Sequence, residues 1–220
     1  MVRVAPFNRY ATRYEEWFTR YPFVYESELM ALRKLMPKTG KGLEIGVGTG
    51  RFAKPLGLRL GVEPSQTMSA YAQRRGVKVI LGTGENLPVK TNSFDFVLIV
   101  TTICFFDDTA MAVREAARVV HPGGYVIIGM VNKISPLGRY YLKHKNDNVF
   151  YSEAKFYSVE EVVAILTQVG FRQFSMAQTI FNRLDRIKAV EPVIEGYDKG
   201  SFVVIKGLNP GNSRKSQSIL

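Results

Sequence analysis

A single cysteine, Cys104, occurs among the 220 residues, which excludes an intrachain disulfide and a cysteine-based metal site by count. It sits inside an apolar run and reads as a small buried core residue. Histidine is nearly as scarce, with only His121 and His144, so no histidine cluster can form. The longest apolar run, 96–106, is interrupted by Thr101 and Thr102 and falls short of the roughly 20 residues that a membrane-crossing helix needs. No membrane partner is expected. The N-terminus carries Arg3, Arg9 and Arg13 among aromatic residues without the continuous apolar stretch of a secretory leader, which makes the cytoplasm the expected compartment. No internal repeat is visible.

Acidic residues are outnumbered, 19 against 30 Lys and Arg, giving a net charge of +11. An acidic partner such as nucleic acid is the first thought. The distribution weakens it, because Lys143, Lys145, Arg172, Arg183, Arg186 and Lys188 are scattered and no dense block dominates. A basic soluble surface accounts for the charge better than a nucleic-acid groove, which stays as the alternative.

What is present is ordinary globular material: 46% hydrophobic and 22% charged residues, enough for one well-buried core. A single domain over 1–220 is expected, divided into a helical cap (1–40), a ligand-binding core (41–131), an insertion or lid (132–157), a closing helix and strands (158–207) and a flexible tail (208–220). In the cap, Tyr10, Tyr14, Trp17 and Phe18, then Tyr25, Leu29, Leu32 and Leu35, recur at helical spacing, and Pro22 separates two helices. The core alternates strands at 43–47, 59–63, 77–81, 94–100 and 125–131 with helices at 51–58, a short one disturbed by Pro55, 65–75 and 108–120. Ser65 and Asp107 or Asp108 are the expected caps. Such alternation specifies a doubly wound, Rossmann-like, mostly parallel sheet with helices on both faces. After a helix from Ser158 to Val169, two strands near 171–181 and 201–207 follow without a full helix between them. They are expected to pair as an antiparallel C-terminal edge, completing a seven-stranded α/β sheet.

In a doubly wound sheet, ligands bind outside the carboxyl ends of the strands, so the loop after the first strand is the place to look. It reads Glu44-Ile45-Gly46-Val47-Gly48-Thr49-Gly50. Three alternating glycines permit positive φ and clear side chains from a close-fitting ligand. The dinucleotide pattern G-x-G-x-x-G fails, since Arg51 stands where its last glycine belongs, and the phosphate-cradling G-x-x-x-x-G-K-[ST] pattern fails too. A nucleoside without phosphates is the better candidate, with Glu63 at the end of the second strand placed to accept from both ribose hydroxyls.

These residues carry a resemblance. Gly42-Leu43-Glu44-Ile45-Gly46-Val47-Gly48-Thr49-Gly50-Arg51-Phe52 resembles the first motif of class I S-adenosylmethionine-dependent methyltransferases. Gly61-Val62-Glu63-Pro64-Ser65, Gly82-Thr83-Gly84-Glu85-Asn86-Leu87-Pro88, Ser93-Phe94-Asp95-Phe96-Val97 and His121-Pro122-Gly123-Gly124 are similar to later motifs in the same order. The resemblance implies S-adenosylmethionine as cofactor. Glu44, Gly46 and Gly48 would hold its methionine part, with Gly50 shaping the loop and Glu63 holding the ribose. Pro64, Ser65 and Met68 would lie beside the adenosine, and Thr83, Gly84, Glu85, Asn86 and Leu87 would face the adenine. Thr101 and Thr102 would meet the methionine group, and Tyr14, from a cap resembling that of small-molecule members, would add a contact. Thr83-Gly84 replaces the commoner Asp-Ala of the family, which favours backbone or hydroxyl contacts there.

Methyl transfer from a sulfonium is an in-line displacement, so alignment alone can supply effective molarities of roughly 10⁵ M and a general base is optional. No catalytic residue is assigned: His121 at a Pro-Gly-Gly turn reads as structural, and His144 as a loop residue. Phe105 and Phe106 stand where many relatives place a histidine. The expected acceptor is a small or medium-sized metabolite, bounded by aromatic residues of the cap and of the insertion (Tyr140, Tyr141, Phe150, Tyr151, Phe156, Tyr157), about half of them packing only. An RNA or protein methyltransferase, or a binding domain without turnover, are the alternatives.

Overall fold

A computed structural model describes residues 4–211. The cap comprises α1 (Ala5–Arg9), α2 (Ala11–Arg20) and α3 (Pro22–Leu35), with Pro22 in the first turn of α3, where a missing N–H costs nothing. Then follow β1 (Gly42–Ile45), β2 (Leu60–Glu63), α4 (Gln66–Arg74), β3 (Lys78–Leu81), β4 (Phe94–Val100), α5 (Thr109–Val119) and β5 (Val120–Val131). The chain closes with α6 (Pro136–Lys143), α7 (Val159–Val169), β6 (Arg172–Thr179), the two-residue β7 (Ile194–Glu195) and β8 (Phe202–Leu208).

These strands form one eight-stranded sheet in the order β3-β2-β1-β4-β5-β8-β6-β7. The pairs from β3 to β5 are parallel, and those from β5 through β8 and β6 to β7 are antiparallel. The doubly wound α/β architecture is thus present, with two refinements. The last long strand is no edge: it inserts between β5 and β6, and the short β7 takes the edge as an eighth strand.

Period-2 alternation explains the two faces. In β4, Val97 and Ile99 point into a cluster with Val113 and Ala116 of α5 and Val162 and Leu166 of α7. Leu98 and Val100 point to the other side, against Leu29 and Leu32 of α3, Ile127 and Phe202. Helix starts are fixed by side chains that satisfy otherwise orphaned N–H groups. Ser65 Oγ accepts from Met68 N at 3.1 Å and Asp108 Oδ1 from Met111 N at 2.9 Å. Ser158 and Glu161 form a reciprocal capping box.

The expected helix over 51–58 does not form; the segment is a run of turns. Pro55 has no N–H to close the helical bond to Arg51, and Gly57 adopts φ +79°. At the other end of the parallel strands, His121 Nε2 lies 2.6 Å from Asp95 Oδ1, which joins the starts of β4 and β5 away from their carboxyl ends. Leu208 belongs to β8 and Asn209 N donates to Gly124 O at 2.8 Å, so the expected tail is held this far; the remainder from 212 lies outside the described residues. No helix among the described residues is long and apolar enough to cross a membrane.

Candidate active site

Above the carboxyl ends of β1, β2 and β4 lies a cavity of about 450 Å³. Its floor is the glycine turn after β1. Gly46 and Gly48 have φ +69° and +54°, conformations that L side chains rarely adopt. The Gly48 N–H donates to Glu63 Oε2 at 2.8 Å, and Ser65 N donates to Glu63 Oε1 at 3.0 Å. The carboxylate is thereby fixed in orientation while each oxygen keeps a lone pair for the cavity. Thr101, at φ +51°, is a left-handed β-branched residue, an uncommon and strained state. Beside it Thr102 Oγ1 donates to Val100 O at 2.9 Å and to Gly46 O at 3.2 Å, which locks the end of β4 to the glycine turn.

Acidic side chains crowd the interior. Burial pushes the Glu44 carboxyl well above the ordinary carboxylate range, the nearby Glu63 charge adds to that, and an N–H from Ala53 partly opposes it. Glu44 Oε2 is buried with no hydrogen-bond partner. Burial also raises Glu63, against the two backbone N–H bonds. Glu28, projecting from α3, is raised to about 8 by burial alone. The Tyr14 phenol, between these groups, is raised by burial first and then by Glu44, Glu63, Glu15 and Glu28. An orphaned carboxylate oxygen, a held carboxylate with free lone pairs and a floor without side chains fit a ligand that brings hydroxyls and a positive charge.

Of the residues expected at the site, Tyr14, Gly46, Gly48, Glu63, Pro64, Met68, Thr83, Gly84, Glu85, Thr101 and Thr102 line this one cavity. The structure gives the others different positions. Glu44 lies buried beneath the floor, and Gly50 turns the loop, its α-carbon so close to Ala72 that a Cβ would sit 3.2 Å away. Ser65 is consumed as the α4 cap and donates from Oγ to Asn8 Oδ1 at 2.6 Å, tying α1 to the core. Asn86 is exposed, and Leu87 points into the core while its N–H donates to Glu115 Oε2 at 2.8 Å. Glu85 is partly engaged, accepting from Asp107 N at 2.8 Å.

The roof is aromatic. Phe7, Tyr14, Trp17 and Phe18 of the cap and Tyr140, Tyr141, Phe150 and Tyr151 of the insertion all line the cavity, whereas Tyr10, Phe156 and Tyr157 do not. The Tyr157 hydroxyl pairs instead with Thr109 Oγ1 at 2.8 Å, as a packing residue would. Sequence reasoning missed Glu28. A readable signal exists: it stands four residues after Val24 and four before Leu32, on the apolar stripe of α3, where a carboxyl is costly unless used.

Sheet, glycine turn and acid-floored cavity define a doubly wound enzyme of the class I methyltransferase type. A methyltransferase-domain family matches residues 43–128. A crystal structure from Thermotoga maritima, described as an S-adenosylmethionine-dependent methyltransferase and possible histamine N-methyltransferase, is 50% identical with a TM-score of 0.91, covering 93% of this chain and 98% of that one. An uncharacterized protein of Methanocaldococcus jannaschii is 45% identical over 199 residues, 90% of this chain and 96% of its own length. A demethylmenaquinone methyltransferase of Corynebacterium kroppenstedtii is 37% identical over 101 residues, 44% of each chain. The chain belongs to the class I S-adenosylmethionine-dependent methyltransferases.

Proposed function

We propose that the protein transfers the methyl group of S-adenosylmethionine to a small or medium-sized metabolite. The observation that carries this reading is one cavity, continuous from the glycine turn to the aromatic roof, whose volume of about 450 Å³ falls in the range of roughly 300–1,000 Å³ typical of small-molecule sites. Bound there, S-adenosylmethionine supplies an electrophilic methyl on a sulfonium. Glu63 would accept from the ribose hydroxyls, and Gly46, Gly48, Thr101 and Thr102 would shape the channel for the methionine part, with Glu44 supporting the turn from beneath. Pro64 and Met68 lie along the adenosine, with Thr83, Gly84 and Glu85 at the adenine. Tyr14 closes the cofactor from the roof, its hydroxyl 3.7 Å from where a Gly48 Cβ would stand.

The chain's own contribution to the chemistry is alignment and exclusion of water by the rings above the site. A macromolecular acceptor gains no support from the lining charges. Although the chain is strongly basic, the cavity is bordered by Glu16, Glu28, Glu63, Glu85 and Asp107 against Arg13 and Arg20. Relatives methylate different kinds of small molecule by their descriptions, a demethylmenaquinone in one case and, as a possibility, histamine in another.

The test is titration calorimetry of ligand-stripped protein with S-adenosylmethionine and S-adenosylhomocysteine, followed by product detection with a metabolite panel. Saturable binding of both and turnover with a panel member are expected. Folded protein that binds neither overturns the reading, and an acceptor affinity that collapses steeply with salt would shift it to nucleic acid.

A further inference from the structure

Among the described residues the cavity lining contains one buried carboxyl that the cofactor reading leaves without a task. Glu28 is 4% exposed, lines the cavity, and makes no hydrogen bond with any described residue. A buried carboxyl that serves only the fold is normally hydrogen-bonded, because an unpaired one costs stability. Its position separates it from the cofactor floor. Glu44 is affected by Glu63 but not by Glu28, whereas Tyr141 of the insertion is raised by burial and next by Glu28, with no contribution from Glu44 or Glu63. Tyr14 stands between the two sides and is influenced by both. Leu137, at the start of α6 in the insertion, packs against the cluster that holds Val24 and Leu32, one turn to either side of Glu28, and Tyr141 one turn further along α6 lines the same cavity, so Glu28 belongs to the part roofed by the insertion.

That part is built for a cation. The rings of Tyr141 and Tyr151 lie 5.0 Å apart, Tyr151 stacks on Phe105 at 6.2 Å, and Phe150 packs against Tyr14 at 6.1 Å. Aromatic faces attract a positive charge most where water is excluded. The two basic residues of the lining, Arg13 and Arg20, are exposed on α2 and contribute nothing to the state of Glu28. A carboxylate acceptor would bury like charge against Glu28, and a neutral hydroxyl would gain a single ordinary hydrogen bond. An ammonium would convert an uncompensated buried acid into a hydrogen-bonded pair.

We propose that Glu28 binds the methyl acceptor, and that the acceptor is an amine recognised in its ammonium form by the Glu28 carboxylate beside the Tyr141–Tyr151 ring pair; the nitrogen releases one proton to water before its lone pair takes the methyl group. This rests on the methyl-transfer reading. Glu28 is a recognition residue in this account: it selects the acceptor by its charge, and no step of bond making is assigned to it.

The experiment saturates the protein with S-adenosylhomocysteine and measures binding of 2-phenylethylamine, 2-phenylethanol and phenylacetate by calorimetry. The same three end groups on a butyl chain follow, in wild type and in Glu28→Gln, with thermal melts showing that both are folded. The amines are expected to bind more tightly than the matching alcohols and carboxylates by about tenfold or more, the scale of one hydrogen bond to a charged group. Glu28→Gln should abolish that preference while affinity for the alcohols and for S-adenosylhomocysteine stays within about twofold. Amines that bind no better than alcohols, or a Glu28→Gln protein that keeps the preference, overturns the assignment while leaving methyl transfer standing. Loss of S-adenosylhomocysteine binding by the wild type itself would remove the underlying reading instead.

Discussion

The hydroxyl of Tyr25 donates to the backbone carbonyl of Arg51, the group that Pro55 leaves without its helical partner. Among the described residues no backbone N–H reaches that oxygen, so a side chain of α3 completes a turn of the cofactor loop. Burial pushes the Tyr25 phenol up to about 12, and it stays a donor across all ordinary conditions. Tyr25→Phe should therefore destabilise the protein by about 1–2 kcal/mol, the cost of a partly buried carbonyl losing its partner. Chemical denaturation reads this directly. An unchanged midpoint would mean that water replaces the hydroxyl at no cost.

Glu15 makes a second tie between cap and core. Its Oε2 accepts from Arg51 Nε at 3.0 Å and Nη2 at 2.6 Å, and also pairs with Arg75 at the end of α4. Burial raises this carboxyl, but Arg51 and Arg75 outweigh it and hold it below the ordinary range. A depressed carboxyl contributes stability above its unfolded-state pKa, and the contribution is lost as pH falls through the folded-state value. Glu15→Gln should cost roughly 2 kcal/mol at pH 7, with the difference from wild type shrinking in acid. Limited proteolysis should cut the cap faster in the variant and more slowly once S-adenosylhomocysteine is added. Equal cleavage of the two proteins would show that the cap is held by packing alone.

Much of this arrangement was legible in the chain. The alternation in β4 sends Val97 and Ile99 one way and Leu98 and Val100 the other, and such a run reads as a strand covered on both faces. Ser65, Asp108 and Ser158 announce helix starts by local chemistry. Pairing order is different, because nothing local in the run from Phe202 to Leu208 says that it lies between β5 and β6 instead of outside them. Ser65 shows the same limit at the site. Its place in the motif points to a ligand, yet the N–H of Met68 and Asn8 Oδ1 already occupy its hydroxyl. The turns at 51–58 were half legible: apolar spacing there favours a helix and Pro55 marks it as disturbed, but the positive φ of Gly57 is not announced by anything local.

Glu63 and Gly48 test the cofactor floor. Glu63→Ala removes both the proposed ribose acceptor and the carboxylate that receives the Gly48 and Ser65 N–H groups. S-adenosylmethionine affinity should fall by about 10- to 100-fold, one to two hydrogen bonds with charge involved. Gly48→Leu should abolish binding by a separate route, since φ is +54° and the new side chain would point at Met68 and Tyr14. Calorimetry on both variants, with circular dichroism to show the sheet intact, settles each. Retained affinity in Glu63→Ala would move the ribose elsewhere.

The state of Glu28 makes a prediction in pH that binding experiments do not touch. Its carboxyl is raised by burial to about 8, so the folded protein holds a proton that the unfolded chain releases near the ordinary carboxylate value. Stabilisation from that proton is complete in mild acid. It declines as pH rises, by about 1.4 kcal/mol per pH unit for one proton, until the folded carboxyl itself ionises near pH 8. Glutamine has no such proton to lose. The phenols around the group, Tyr14, Tyr141 and Tyr151, are all raised and stay neutral through this range. Ligand-free Glu28→Gln should therefore gain thermal stability relative to wild type from pH 5 to pH 8.5. A melting-temperature difference that stays flat over that interval would mean that Glu28 ionises freely, and that the cavity is wetter around α3 than its aromatic roof implies.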